Sequence, residues 1–217
     1  MVAVQEAIKF GRATTRDPER TRAAILSAAT QEFTASGLSG ARVDAIAARA
    51  RVNKRMIYHY FGDKEGLYLA VLEATYESIR AAELELHLTD RDPVDGMREL
   101  VQFTWAYFLA HPEFLSLLGT ENLHKAAYLK RSARIRDLHS PLVGMISSLL
   151  ARGEKARVFR AGVDPVELYV TIAALGFFYL SNRHTLSTIF GRDLSAPKSL
   201  AAREKHIVDV VLNFLKV

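Results

Sequence analysis

Apolar residues recur along most of the chain at the three- and four-residue spacing that is typical of amphipathic helices. No stretch shows the sustained alternation of apolar and polar positions expected of half-buried strands. The pattern therefore predicts an all-α protein. The predicted helices lie near residues 18–36, 43–50, 54–60, 64–88, 93–110, 112–122, 132–153, 165–189 and 198–216.

Proline and glycine mark the ends of these segments. Asp17-Pro18, Asp92-Pro93 and Asp164-Pro165 each place a capping carboxylate before a proline at the first helical position, which predicts three helix starts. Pro112 and Pro197 also fit helix starts, whereas Pro141 fits a kink within a helix that begins near residue 132. Helix ends are predicted at Gly37, Gly62, Gly153, Gly162 and Gly191.

The first third of the chain contains three short helical segments. The second of them is barely two turns long, and the third begins after a tight turn at Arg51-Val52. Helices this short are unstable alone, so they must share a small core with the first helix. Two short helices joined by a tight turn indicate a helix-turn-helix, whose second helix enters the major groove of DNA. The shared core is predicted from Val43, Ile46, Ala47, Val52 and Ile57.

The start of the third helix carries side chains suited to binding DNA, which are predicted to be Asn53, Lys54, Arg55 and Met56. Asn53 is also placed to cap the helix, Lys54 and Arg55 can donate hydrogen bonds to guanine, and Met56 can contact a thymine methyl group. Hydroxyl and ammonium groups that follow can bind phosphate, near a helix N-terminus that attracts anions. These phosphate ligands are predicted to be Tyr58, Tyr60 and Lys64.

At fixed spacing, about a dozen positions of this region resemble the DNA-binding region of TetR-family regulators. They are Arg20…Ile25-Leu26…Ala28-Ala29…Phe33…Gly37, then Val43…Ile46-Ala47…Val52, then Ile57-Tyr58-His59-Tyr60-Phe61-Gly62-Asp63-Lys64-Glu65-Gly66-Leu67. The resemblance covers roughly residues 18–70. It implies a homodimer that binds a palindromic DNA operator and a larger C-terminal domain that holds an inducer pocket and the dimer interface. The positions that match DNA-contacting residues of the family are Arg42, Lys54, Arg55, Tyr58, Tyr60 and Lys64.

The resemblance divides the chain into three parts. Residues 1–16 lack helical periodicity and are predicted to form a flexible basic arm. Residues 17–65 are the predicted helix-turn-helix domain, and residues 66–217 the predicted ligand-binding and dimerisation domain. One departure from the family lies in the turn, where Arg51 stands in place of the frequent glycine. If this residue must adopt a positive φ, its side chain costs on the order of 1 kcal/mol.

Two C-terminal segments have more apolar surface than one core face requires. Residues 168–180 are apolar nearly all round, and the last predicted helix has a wide apolar stripe. Both helices can be internal, but two such stripes in a small domain favour a two-fold, four-helix interface between subunits. The predicted interface residues are Tyr169, Phe177, Leu180, Ile207, Val211 and Phe214.

An aromatic cluster near residues 103–114 is consistent with plain core packing or with a ligand pocket. The resemblance to TetR regulators strengthens the pocket hypothesis. The side chains predicted to orient an unknown small-molecule inducer are Trp105, Asn122, His124, Tyr128, Tyr169 and His184.

The charge distribution agrees with a DNA-binding first third. Residues 1–65 hold 11 Lys and Arg against 7 Asp and Glu, and so carry +4 of the chain's net charge of +5. The 217 residues include no cysteine, which excludes disulfides and thiol catalysis. There is no secretory signal pattern, and the longest apolar run is too short to cross a bilayer, so a cytoplasmic location without membrane association is expected.

The sequence contains little that supports other classes of function. The seven histidines form no metal-binding spacing, and neither a glycine-rich phosphate loop nor a nucleophile elbow is present. No catalytic residue, metal or cofactor is therefore predicted. A helical small-molecule-binding protein or a protein bound to anionic lipid remains an alternative. The favoured hypothesis is a repressor released by an inducer, with a TetR-like activator, or a regulator without inducer, as the alternative.

Overall fold

The computed structural model describes residues 17–217, without the side chains at 136 and 138–140. The predicted arm, residues 1–16, lies outside the described residues. Within the described range the chain forms nine α-helices, two single 3₁₀ turns (Leu88–Asp90 and Leu129–Arg131) and one isolated β-bridge between Phe159 and Lys216. The helices are α1 (Pro18–Gly40), α2 (Val43–Ala50), α3 (Lys54–Phe61), α4 (Lys64–Leu84), α5 (Pro93–Ala110), α6 (Pro112–Leu123), α7 (Ala133–Lys155), α8 (Pro165–Phe190) and α9 (Pro197–Leu215). The all-α prediction is confirmed.

The predicted aspartate caps begin their helices. The side chain of Asp17 accepts a hydrogen bond from the backbone N–H of Glu19, and Asp92 and Asp164 each accept two such bonds at the starts of α5 and α8. Each bond satisfies a backbone donor that has no partner within its own helix. The proline at the first helical position has no N–H to satisfy, which is why the Asp-Pro pairs predicted these starts correctly.

Of the five glycines predicted to end helices, two do so, whereas Gly37 and Gly153 lie inside helices and Gly162 lies in the loop between α7 and α8. Gly62 and Gly191 cap α3 and α8 with positive φ, and Gly37 breaks the path of α1 in the same way. Gly153 does not end α7, which continues to Lys155. It serves instead as a contact point, because a Cβ at Gly153 would lie 2.0 Å from Cδ2 of the Phe159 ring.

The described residues bury two hydrophobic clusters, and α4 runs through both. The first cluster joins α1, α2, α3 and the beginning of α4, with Ile25, Phe33, Ile46 and Ile57 at its centre. The second joins α4 to α5, α6, α7, α8 and α9. Leu117 of α6 and Ile135 of α7 belong to the first cluster, so the two parts of the fold share side chains beyond α4. No helix within residues 17–217 is long and apolar enough to span a membrane.

Candidate nucleic-acid interface

A buried carboxylate fixes the start of α2 on α1. Glu32 of α1 accepts a hydrogen bond from the backbone N–H of Arg42, with 3.2 Å between N and Oε1, and its other oxygen lies 3.8 Å from the guanidinium of Arg49. Val43, Ile46 and Ala47 are buried below, as predicted for the shared core. The side chain of Glu32 thereby contacts both the start and the end of the short helix α2.

The turn between α2 and α3 has the conformation that its sequence disfavours. Arg51 lies in the left-handed region, with φ 55° and ψ 41°, and its N–H donates to the carbonyl of Ala48. The next N–H, of Val52, donates to the carbonyl of Ala47, which ends α2 and directs the chain into α3. The side chain of Arg51 costs about 1 kcal/mol relative to glycine here, and it stands exposed beside the recognition helix.

Almost all of α3 is available to a ligand, since Ile57 is its one buried residue. Asn53 caps the helix by accepting a hydrogen bond from the N–H of Arg55, with 2.8 Å between Oδ1 and N. Because the side-chain oxygen of Asn53 is used in this bond, the residue fixes where α3 begins and which way it runs. Arg55 and Tyr58 are exposed, while Met56 is half-buried. The geometry is that of a short helix anchored by a single apolar residue and open to a groove.

The first residue of α3 forms an ion pair that the sequence did not predict. The ammonium of Lys54 donates to Oδ1 of Asp44 on α2, at 2.8 Å. This hydrogen bond lowers the pKa of the Asp44 carboxyl and raises the pKa of Lys54. Both groups remain charged at neutral pH. If Lys54 contacts DNA as predicted, it must exchange this carboxylate for the DNA.

Replacing Asp44 by asparagine is expected to tighten DNA binding several-fold, for random DNA and for the specific site alike. The substitution removes a negative charge close to the phosphates and releases Lys54, while the size of the side chain is kept. Fluorescence anisotropy with labelled duplexes measures the change. Glu99→Gln is the matched control, because Glu99 of α5 forms an ion pair with Arg91, at 2.5 Å, outside the helix-turn-helix. Equal or weaker binding by Asp44→Asn would contradict a DNA contact by Lys54.

The remaining predicted phosphate ligands border the same surface. Lys64, at the start of α4, donates from Nζ to the carbonyl of Ser39, at 3.2 Å. Arg42 is exposed at the start of α2, and the half-buried ring of Tyr60 lies edge-on to His59, with 5.4 Å between ring centroids. These groups lie at the starts of α2 and α4 and on α3 itself, and Arg42 is close enough to Lys54 to affect its pKa. Their role as phosphate ligands stays a prediction.

The connection from α3 to α4 is rigid. A Cβ at Gly66 would lie only 2.2 Å from the carbonyl oxygen of Phe61, so no larger residue fits there without a backbone shift. Asp63 accepts a hydrogen bond from the N–H of Gly66, at 2.7 Å, which caps α4. The next residues, Leu67 and Tyr68, are fully buried in the first cluster. Any movement of α4 is thereby transmitted directly to the end of α3.

The predicted interface residues divide between the surface and the interior. Leu180, Ile207 and Val211 are buried in the protomer's own core, so the structure corrects their assignment to a subunit interface, whereas Phe177 and Tyr169 are half-buried and their assignment stays a prediction. Among the six, only Phe214 is exposed. Because α8 is apolar on every side, periodicity could not distinguish its inner from its outer face. The apolar side chains that α8 and α9 expose are Val166, Val170, Phe178, Ile189, Phe190, Val210 and Phe214.

The six side chains predicted to orient an inducer do not converge. Trp105 is buried edge-on to Tyr179, and Tyr128 packs edge-on to Tyr68 in the first cluster. Tyr169 accepts a hydrogen bond from Arg80 in the interior. The other three polar residues lie on exposed helix surfaces and loops, where amphipathic patterning places such residues. These are Asn122, His124 and His184.

A cleft of about 400 Å³ between α4 and α7 holds charged residues that sequence reasoning missed. Arg80 and Glu83 lie in its wall and are almost completely buried. Burial raises the pKa of Glu83 to about 7, although Arg80 opposes the shift. In the sequence the two residues have the ordinary spacing of a surface ion pair on a helix, and no signal distinguishes them from one. Among the described residues, no three His, Asp or Glu side chains are placed to hold a metal ion.

Comparison with protein families identifies the class. Residues 25–71 match the family described as bacterial regulatory proteins, tetR family, and residues 93–211 match the tetracyclin repressor-like C-terminal domain. The second match alone covers more than half of the chain. The chain belongs to the TetR family of transcriptional regulators, which bind DNA through a helix-turn-helix and are not enzymes in general.

Individual relatives agree with this assignment. The chain is 40% identical over 198 residues to the HTH-type transcriptional repressor NicS of Pseudomonas putida, which covers 91% of this chain and 93% of that protein. It is 39% identical over 135 residues to the repressor SCO4008 of Streptomyces coelicolor, covering 56% of this chain and 66% of that protein. Among solved structures, the transcriptional regulator SCO4942 of Streptomyces coelicolor superposes with a TM-score of 0.68 at 26% identity, covering 90% of this chain and 98% of that one.

Proposed function

We propose that this regulator is a cytoplasmic repressor that binds a palindromic operator as a homodimer and is released by a small molecule. The observation that carries the proposal is α3, which buries Ile57 and exposes Lys54, Arg55, Tyr58 and His59. In the proposed complex Lys54, Arg55 and Met56 face base edges in the major groove. The flanking groups that bind phosphate are Arg42, Tyr58, Tyr60 and Lys64.

We infer repression, rather than activation, from the relatives. NicS and SCO4008 are both named repressors, and the similarity to NicS extends through the C-terminal part of the chain. A protein that only blocks transcription needs no surface for polymerase, and a DNA-binding domain joined to a regulatory domain is sufficient. Repression by occupation of the operator is therefore the simplest activity for this architecture.

Two-fold symmetry in the operator implies two copies of α3 held at a fixed separation. The exposed apolar side chains on α8 and α9, which include Val170 and Phe178, supply a surface that a second copy can cover. A homodimer formed there leaves both DNA-binding domains free. Two half-sites about one helical turn of DNA apart then match the two recognition helices.

The inducer response is proposed to run through α4. This helix lines the cleft with Arg80 and Glu83 and buries Leu67 and Tyr68 beside α3. Leu117 of α6 also packs into the first cluster, so the C-terminal domain contacts the DNA-binding domain at more than one point. A ligand that favours one position of α4 then changes the separation of the two recognition helices, and the affinity for both half-sites together falls.

The test is selection of DNA from a random pool by the full chain, followed by binding measurements on the selected duplex. We expect an inverted repeat, and affinity that falls steeply with salt. Each phosphate that the dimer neutralises contributes about 0.9 to the slope of log affinity against log salt concentration, so a slope of several units is expected. Recovery of no common sequence, or a flat salt response, would overturn the proposed docking of α3.

A further inference from the structure

The cleft between α4 and α7 combines an apolar wall with a charged one. The apolar lining comes from α4 and α7 and consists of Ala81, Leu84, Pro141, Leu142 and Met145. The titratable groups among the described lining residues are Glu77, Arg80, Glu83, Arg134 and Asp137. At about 400 Å³ the cleft falls at the small end of the range found for ligand pockets, and it suits a single ring with one polar group.

The titratable groups at the outside of the cleft are open to water or paired with each other. Arg134 forms an ion pair with Glu77, and its side chain is largely exposed, as is Asp137. Water screens charges in such positions, so they contribute little to binding. Selectivity must therefore come from the buried pair.

The buried pair leaves several polar atoms without partners. Arg80 and Glu83 are 4% and 1% exposed, and Nη1 of Arg80 lies 2.9 Å from Oε2 of Glu83. Nη2 of Arg80 donates to the hydroxyl of Tyr169, at 3.0 Å. Nε of Arg80 and Oε1 of Glu83 make no hydrogen bond to any described residue, and Nη1 and Oε2 have only their ion pair with each other. Unsatisfied polar atoms at such depth are costly, and a ligand that pairs with them recovers that cost.

The charge balance of the pair selects the ligand. Above its pKa of about 7, Glu83 is ionised, and its carboxylate then balances the guanidinium of Arg80. A ligand that brings a net charge into the cleft at such a pH would leave that charge buried without a counter-ion. A neutral group that both donates and accepts avoids this cost. The free donor at Arg80 Nε requires an acceptor on the ligand, and the free acceptor at Glu83 Oε1 requires a donor.

We propose that this cleft binds a small neutral molecule that carries a carboxamide or lactam group on an apolar ring. Its carbonyl oxygen accepts from Arg80, its N–H donates to Glu83, and its ring lies against Leu142 and Met145. As the inducer of the repressor this ligand rests on the proposed function, whereas its binding to the cleft does not.

Calorimetry on the full chain without DNA, at a pH above the raised pKa of Glu83, tests the proposal with benzamide as probe. Benzamide is expected to bind with a dissociation constant of about 1 mM or below, as befits a fragment of this size. Acetophenone, which has the same shape and carbonyl but no N–H, is expected to bind at least about tenfold more weakly, as are benzoate and benzylamine. Absence of benzamide binding, or stronger binding of either charged probe, would overturn the proposal.

A charge-changing variant gives an independent readout. Glu83→Gln keeps the size of the side chain and leaves Arg80 with an uncompensated positive charge, so the preference is expected to reverse from benzamide to benzoate. Glu113→Gln is the matched control, because Glu113 lines a different cleft between α1 and α6 and its loss should leave the preference unchanged. An unchanged preference in Glu83→Gln would overturn the assignment of the polar wall.

If circular dichroism shows that Glu83→Gln does not fold, Met145→Trp takes its place. Met145 is half-buried in the cleft wall, and tryptophan fills the cleft without touching the ion pair. Benzamide binding should then be lost, and retained binding would place the ligand elsewhere. These measurements contain no DNA. Failure to bind benzamide would therefore not count against operator binding, and failure to select an operator would not count against benzamide binding.

Discussion

Replacing Val170 and Phe178 together by glutamate is expected to give a folded monomer that no longer binds its operator tightly. In the protomer these side chains are 53% and 59% exposed, so water solvates the new carboxylates and the fold is not disturbed. In a dimer that covers this face of α8 the same carboxylates would be buried without partners. An uncompensated buried charge typically costs about 3–5 kcal/mol. We therefore expect the dissociation constant of the dimer to rise roughly a hundredfold or more.

Operator binding should fall with dimerisation, because a monomer can contact one half-site only. Sedimentation velocity reports the oligomeric state, circular dichroism reports folding, and a gel-shift titration on the operator reports affinity. Leu123→Glu is the matched control, since Leu123 is an apolar residue at the end of α6 that is 85% exposed. It should stay dimeric and bind normally. A double variant of Val170 and Phe178 that sediments as a dimer would place the interface outside this face of α8.

Local chemistry made the helix-turn-helix predictable. The capping residues Asp17 and Asn53 act on backbone N–H groups two residues away, so adjacent sequence contains the whole interaction. The strained turn is also a local feature. From the sequence, a positive φ at Arg51 is expected to be costly, and in the structure the φ of this residue is 55°. The close approach of Gly66 to Phe61 likewise lies within one short segment.

Interactions between distant segments could not be found in this way. The pair of Lys54 and Asp44 depends on how α2 crosses α3, which no spacing rule fixes. The burial of Arg80 depends on α7 and on Tyr169, which is 89 residues away. A charged residue followed three positions later by a residue of opposite charge is normally a solvated pair, so no spacing rule would have placed this pair in the interior.

The second large effect is expected at the start of α3. Arg55→Ala and Lys54→Ala should each reduce the discrimination between operator and random DNA by about tenfold or more, which corresponds to the loss of one base contact. Arg55 is exposed and makes no side-chain contact with Asp44, so its removal is the simpler experiment. Lys64→Ala is the control, because a phosphate ligand contributes equally to every sequence and its loss should weaken both duplexes alike.

Lys54→Ala requires one further comparison, because it also leaves the carboxylate of Asp44 without its ammonium partner beside the DNA. Made in the Asp44→Asn background, the same substitution removes the base contact without creating that repulsion. The loss of discrimination should persist in this background, while the general loss of affinity should be smaller than in the single variant. Titrations of operator and random duplexes at one fixed salt concentration measure both quantities. If the ratio of the two affinities is the same with and without Lys54 and Arg55, then α3 does not read the bases through these residues.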